Sequence, residues 1–154
     1  METTVDQLKI VVKAFAELTT EDLYEILKAR FSVFVVEQKC FYLDMDDIDY
    51  RSYHIFIQRG KEVIAYGRLF EEDEPDTWHI GRVLTTSRVR GKGFGKLLME
   101  KVMQTAYQHG ATTLRMEAQS HATGFYEQLG FKVCSEEFEE AGMPHVKMEL
   151  VCKR

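Results

Sequence analysis

Between Arg88 and Leu98 the chain reads Arg-Val-Arg-Gly-Lys-Gly-Phe-Gly-Lys-Leu-Leu, with three alternating glycines set among four basic residues. An extended run precedes this stretch and an amphipathic helical pattern follows it. Such a turn leaves several backbone N–H groups converging at the positive end of a helix dipole. Glycine also lets a ligand approach the backbone without meeting a Cβ. Arg88, Arg90, Lys92 and Lys96 add side-chain charge, and no acidic residue occurs between 77 and 99. The chemistry predicted is that of a pyrophosphate cradle. A dinucleotide fingerprint would need a third glycine where Lys96 stands, and a Walker loop would need glycine at Arg90 and a hydroxyl at Leu97. Both nucleotide readings fail on residue identity.

The elements that must hold this loop follow from periodicity. Residues 8–15 read as a strand. Thr19, Thr20, Glu21 and Asp22 give a helix start with capping-box spacing. Leu23, Ile26, Leu27, Arg30, Phe31 and Phe34 continue at helical period. After Val36 the pattern dissolves into an irregular, acidic and aromatic segment running from 37 to about 52. Strands are expected at 53–58 and 62–70, joined by the Arg59-Gly60-Lys61 turn. An acidic turn at 71–76 leads to a strand at 78–85 and so into the glycine loop. Phe94, Leu97, Leu98, Val102 and Ala106 form one face of a helix that closes at His109-Gly110. A strand at 113–118 and a short helix at 121–129 follow, the helix stopped by Gly130. Strands at 131–134 and 146–151 finish the chain. The order β-α-β-β-β-α-β-α-β-β predicts an α/β domain (an α+β mixed sheet flanked by helices), single over residues 1–154.

Composition agrees with one soluble globular domain, at 45% apolar and 29% charged residues. A net charge of −5 argues against general nucleic-acid binding, which needs an excess of Lys and Arg. The short apolar run Ile10-Val11-Val12 makes neither a signal peptide nor a membrane span. Cys40, Cys134 and Cys152 are odd in number, widely spaced and without a C-x-x-C pair, which predicts a reduced, cytoplasmic protein. Asp44, Asp46, Asp47 and Asp49 lack the glycine and terminal glutamate of a calcium loop, so no metal is expected.

The glycine stretch fits Arg/Gln-x-x-Gly-x-Gly/Ala in two frames, from Arg88 to Gly93 and from Arg90 to Gly95. In this it resembles the acyl-CoA-binding motif of the GNAT superfamily of N-acetyltransferases. Ala122, Phe125-Tyr126 and Gly130-Phe131 match a second GNAT pattern, with Gln119 in place of its asparagine. The runs Val33-Phe34-Val35-Val36-Glu37-Gln38, Ala118-Gln119-x-His121 and Gly142-Met143-Pro144-His145-Val146-x-Met148 resemble the ElaA-like branch. The likeness spans roughly Arg30 to Met148. It implies a GNAT-type acetyl-CoA N-acyltransferase fold with a mostly antiparallel central sheet. It implies acetyl transfer from acetyl-CoA to a primary amine by direct attack in a ternary complex.

By the same resemblance, backbone groups of Val83, Leu84 and Thr85 would lie along the pantetheine arm. Arg88, Arg90, Gly91, Lys92, Gly93, Phe94, Gly95 and Lys96 would hold the pyrophosphate, with Gln119 and Tyr126 also on the cofactor side. Tyr126 is the expected general acid. Glu37 and His121 are the expected general bases, with His79 and His145 as further candidates. Acceptor binding falls to the irregular segment, where Phe41 and Tyr42 offer apolar walls and Asp44, Asp46, Asp47 and Asp49 offer negative charge. A small-molecule or peptide amine, cationic in character, suits that balance, and many relatives pair as homodimers. None of the cysteines lies beside a matched motif, so no acetyl-cysteine intermediate is expected. The alternatives are an acyl-CoA-binding regulatory module without turnover and an acyl-homoserine-lactone synthase, to which Arg30 to Glu37 bears a faint likeness.

Overall fold

The computed structural model describes residues 7–152. Its centre is one twisted sheet of eight strands in the order β1-β2-β3-β4-β5-β8-β6, with β7 pairing on β8. The strands are β1 (Leu8–Ala14), β2 (Tyr53–Arg59), β3 (Glu62–Glu71), β4 (Thr77–Thr85), β5 (Thr113–Gln119), β6 (Lys132–Val133), β7 (Phe138–Glu140) and β8 (Met143–Val151). All neighbouring pairs are antiparallel except β4 and β5, which run parallel. Three α-helices cover the faces: α1 (Thr20–Arg30), α2 (Phe94–Gln108) and α3 (Thr123–Gln128).

The capping box at the start of α1 forms as the spacing requires. Thr19 Oγ1 accepts from the Asp22 amide at 2.9 Å, and Asp22 Oδ2 accepts from the Thr19 amide at 3.0 Å. Ile26, Ala29 and Val33 then pack on Phe56, Val63, Tyr66 and Leu84, on one face of the sheet. Leu98, Met99, Val102 and Ala106 of α2 pack on the other face, against Ile55, Ile57, Leu69 and Ile80. Helix α2 comes close at Gly67, where a Cβ would stand 3.5 Å from Val102. No side chain caps the N-terminus of α2, whose N-cap is Gly93. A missing cap costs about 1 kcal/mol. Burying Leu98, Met99 and Val102 contributes roughly 1.5–3 kcal/mol each, so the helix forms without one.

Two expectations about elements change. The periodic run beginning at Thr20 is α-helical only to Arg30; Phe31–Glu37 continues as a π-helix, a wider coil that apolar spacing alone does not distinguish. The acidic run around Glu136 to Glu140 is partly a strand. Phe138–Glu140 forms a hairpin with β8 through Ala141 and Gly142, at φ 53° and 76°. Consecutive charges hid the alternation there. Among the described residues no helix is long and apolar enough to cross a membrane.

Candidate active site

Strands β4 and β5 are paired at only three positions, Thr77 with Thr113, Trp78 with Leu114 and His79 with Arg115. Beyond these they part. On its other edge β4 carries a bulge: Tyr66 pairs with Leu84 and Arg68 with Gly81, so Arg82 and Val83 together oppose Gly67. Arg82 takes φ 51° to make it. The facing edges of 80–85 and 116–119 therefore have no strand partner, and a slot opens through the sheet. It belongs to a cavity of about 1110 Å³. Phe94, Phe125 and Tyr126 line it from the α2 face, and Gln38, Arg68 and His79 from the α1 face. Strand alternation sets these faces, since Leu69, Ile80, Met116, Ala118 and Val146 point into the α2 core.

The glycine loop borders this cavity. Gly91 and Gly93 have φ 77° and 84°, in the left-handed region, and no protein atom stands within 4 Å of where their Cβ atoms would be. Gly93, Phe94, Gly95 and Lys96 line the cavity at the uncapped end of α2, so its first N–H groups remain available to an anion. Val83, Leu84, Thr85, Arg90, Gly91, Gln119 and Tyr126 line it too, whereas Arg88 and Lys92 are exposed and stand off its wall. Arg90 is a brace. Its Nε and Nη2 donate to the Thr85 carbonyl at 3.2 and 2.9 Å, and its Nη1 pairs with Glu37.

In that pairing Glu37 ties the end of the π-helix to the glycine loop. His121 is hydrogen-bonded as well. Its Nε2 donates to Gln119 Oε1 at 2.7 Å, while Gln119 Nε2 donates to Gln38 Oε1 at 2.9 Å. Imidazole and amides thus stitch the start of α3 to the segment after the π-helix. Tyr126 is 8% exposed and borders the slot, and burial pushes its phenol up to about 12.

The proton-accepting geometry lies at the point where β4 and β5 separate. His79 Nδ1 donates to Glu72 Oε2 at 2.9 Å, which leaves the ring's Nε2 for a second partner. That Nε2 lies 3.2 Å from Glu117 Oε2, and both residues border the cavity. His145 Nδ1 donates to the Met143 carbonyl at 2.8 Å and its ring stacks on Phe138, a structural anchorage of the β7–β8 hairpin.

Three of the four aspartates of the irregular segment are committed to arginines. Asp44 accepts from Arg30 Nε and Arg82 Nε, each at 2.8 Å; Asp49 accepts from Arg30 Nη1 at 2.7 Å; Asp46 accepts from Arg68 Nη2 at 2.6 Å. Their charge fastens the segment over the α1 face. Tyr42 reaches the cavity wall, but Phe41 is 79% exposed and does not. Cys40 reaches the wall as well, its sulfur 3.6 Å from that of Met143. Sequence reasoning missed Glu117, Gly81, Arg68 and Arg82. An arginine in the apolar run Val63 to Phe70 was the available signal.

A sheet split between one parallel pair, with a glycine-lined helix end at the split, is the GNAT acyl-CoA N-acyltransferase fold. The family model described as "Acetyltransferase (GNAT) domain" matches residues 14–152, and the chain belongs to this family. It is 37% identical to a UPF0039 protein of Schizosaccharomyces pombe over 149 residues, 95% of this chain and 99% of that one. It is 36% identical to protein ElaA of Escherichia coli over 137 residues, 86% of this chain and 90% of ElaA. The crystal structure of ElaA superposes with a TM-score of 0.87 over 94% of this chain and 99% of ElaA, at 34% identity. An acyl-CoA N-acyltransferase from Pseudomonas aeruginosa gives a TM-score of 0.88, 34% identity, and coverage of 94% of this chain and 100% of the other.

Proposed function

We propose that the protein transfers an acetyl group from acetyl-CoA to a primary amine by direct attack in a ternary complex. The observation carrying this reading is the uncapped, glycine-lined end of α2 opening onto a slot through the sheet. The likeness to an acyl-CoA N-acyltransferase supports an acyl-CoA donor. Acetyl-CoA supplies the activated thioester. The amides of 91–96 would take its pyrophosphate, with Arg88, Lys92 and Lys96 adding charge at the mouth. The unpaired edge of Val83, Leu84 and Thr85 offers main-chain partners to the pantetheine amides, and an N–H there can stabilise the developing oxyanion.

The acceptor, on a small molecule or a peptide, arrives as a cationic ammonium with pKa ~10.4 if it is lysine-like. Glu117 and Glu140 border its side of the cavity. The His79–Glu117 pair takes the amine proton and shares it, while Glu72 holds the other ring nitrogen. The N–C bond forms, the C–S bond breaks, and Tyr126 gives its proton to the sulfur as negative charge develops there; the second N–H proton, shed by the nitrogen as it becomes an amide, restores the Tyr126 phenol. Free thiols at Cys40, Cys134 and Cys152 agree with a cytoplasmic setting.

The test is chromatographic detection of free CoA after incubation with acetyl-CoA and a panel of polyamines, aminoglycosides, amino acids, arylalkylamines and lysine peptides. Acceptor-dependent release is the expected result. Acetyl-CoA binding with no release across the panel would favour a regulatory module instead. Gly93→Asp is expected to abolish acetyl-CoA binding by calorimetry with the fold intact, because a carboxylate would face the pyrophosphate.

A further inference from the structure

Arg68 is 3% exposed, sits on the cavity wall, and carries five N–H donors. Three are engaged: Nη2 and Nη1 donate end-on to Asp46 at 2.6 and 2.8 Å, and Nη1 donates again to Asp49 at 3.1 Å. Two remain, the Nε–H and the second N–H of Nη2, side by side on one edge of the planar guanidinium. Nε is buried and has no hydrogen-bond partner among the described residues. A buried charged donor left unpaired is costly, so a site that keeps one is built for a guest.

Gly81 faces that edge and puts no side chain over it. Arg68 and Gly81 are cross-strand partners, and a Cβ on Gly81 would stand 3.7 Å from Arg68 Nε. Gly81 also lines the cavity, and its φ is not in the left-handed region, so its backbone does not demand glycine. The surrounding charges are balanced: Arg30, Arg68 and Arg82 face Asp44, Asp46 and Asp49. A guest here is selected by the free fork, and the partner that fills a side-on arginine fork with two oxygens is a carboxylate. His79 lies two residues along β4 on the same face, its ring Cδ2 3.9 Å from that same Gly81 Cβ position. A molecule whose carboxylate occupies the niche at Gly81 thus brings its other end toward the His79–Glu117 pair.

We propose that the acceptor is an amine that also carries a carboxylate, held side-on by Arg68 in the niche at Gly81. This deepens the acetyl-transfer reading and rests on it for the amine end only.

The experiment is calorimetric binding to the protein saturated with CoA. Each protein amino acid, together with β-alanine and γ-aminobutyrate, is compared with its own decarboxylated amine. The expected result is at least one pair in which the carboxylate member binds about 10-fold tighter or more, as loss of a charge-assisted bidentate contact requires. Gly81→Ala is expected to erase that preference while leaving acetyl-CoA affinity unchanged, because its added methyl fills the niche at ordinary van der Waals distance. Equal affinities within every pair, no binding by any carboxylate-bearing amine, or a preference that survives Gly81→Ala would each overturn the proposal. Release of CoA is read separately with the tightest binder. Binding without release would overturn the transferase reading and leave the carboxylate site standing.

Discussion

At the residue scale, the proposed transfer would give Tyr126 and Glu117 opposite tasks, and their surroundings differ accordingly. Burial holds the Tyr126 phenol protonated to about pH 12, so this acid loses none of its function across an ordinary assay range. Tyr126→Phe should lower turnover by about 10²–10⁴-fold and leave acetyl-CoA affinity unchanged; calorimetry beside CoA release separates the two. Glu117 is exposed at the slot with His79 beside it. Glu117→Gln removes the shared-proton site and should cut kcat/KM by about 10²-fold at neutral pH. That deficit should shrink as pH approaches the pKa of the amine itself, ~10.4 for a lysine-type acceptor, because more of the amine then arrives neutral. A rate deficit constant with pH would remove Glu117 from the proton path.

At the scale of elements, the segment from the π-helix to β2 is held over the sheet by ion pairs. Burial alone would raise the Asp46 carboxyl, but the hydrogen bonds from Arg68 and the charges of Arg68 and Arg82 bring it down to about 2. Asp49 is lowered too: burial opposes, and Arg30 and Arg68 prevail. A carboxyl depressed by folding contributes stability that is present above its unfolded pKa, ~3.9, and is lost as pH falls through the folded value. Unfolding free energy from denaturant titrations should therefore drop between about pH 4 and about pH 2. Asp46→Asn should make that decline shallower while lowering stability at neutral pH. An unchanged acid slope would mean that Asp46 does not hold the segment.

At the scale of the whole molecule, the slot separates two approaches. The glycine loop and α3 lie on the α2 face, and the arginine–aspartate cluster lies on the α1 face. On the proposed reaction, donor and acceptor would reach one opening from opposite sides, so both could be bound at once. Initial-rate lines at varied donor and acceptor should intersect, and mass spectrometry should find no acetylated protein when acceptor is withheld. Parallel lines with a stable acetyl adduct would replace direct attack with a covalent route through the protein, and Cys40 at the wall would be the first residue to examine.

The sequence alone determined the order of most elements, the family and the glycine-rich turn before α2, because each depends on local signals. Capping chemistry at Thr19, apolar period in α2 and the alternating glycines are all written within a few residues. Legibility ended where one face had to meet another. Glu37 and His121 looked like free bases in the sequence, and only tertiary contacts gave Glu37 to Arg90 and His121 to Gln119. The four aspartates looked like an acceptor surface, yet Asp44, Asp46 and Asp49 are met by arginines from α1, β3 and β4. His79 and Glu117 come together because β4 and β5 are parallel neighbours that separate right after the His79–Arg115 pair. A charge acts through the partner that folding brings to it, and here those partners lie tens of residues away along the chain.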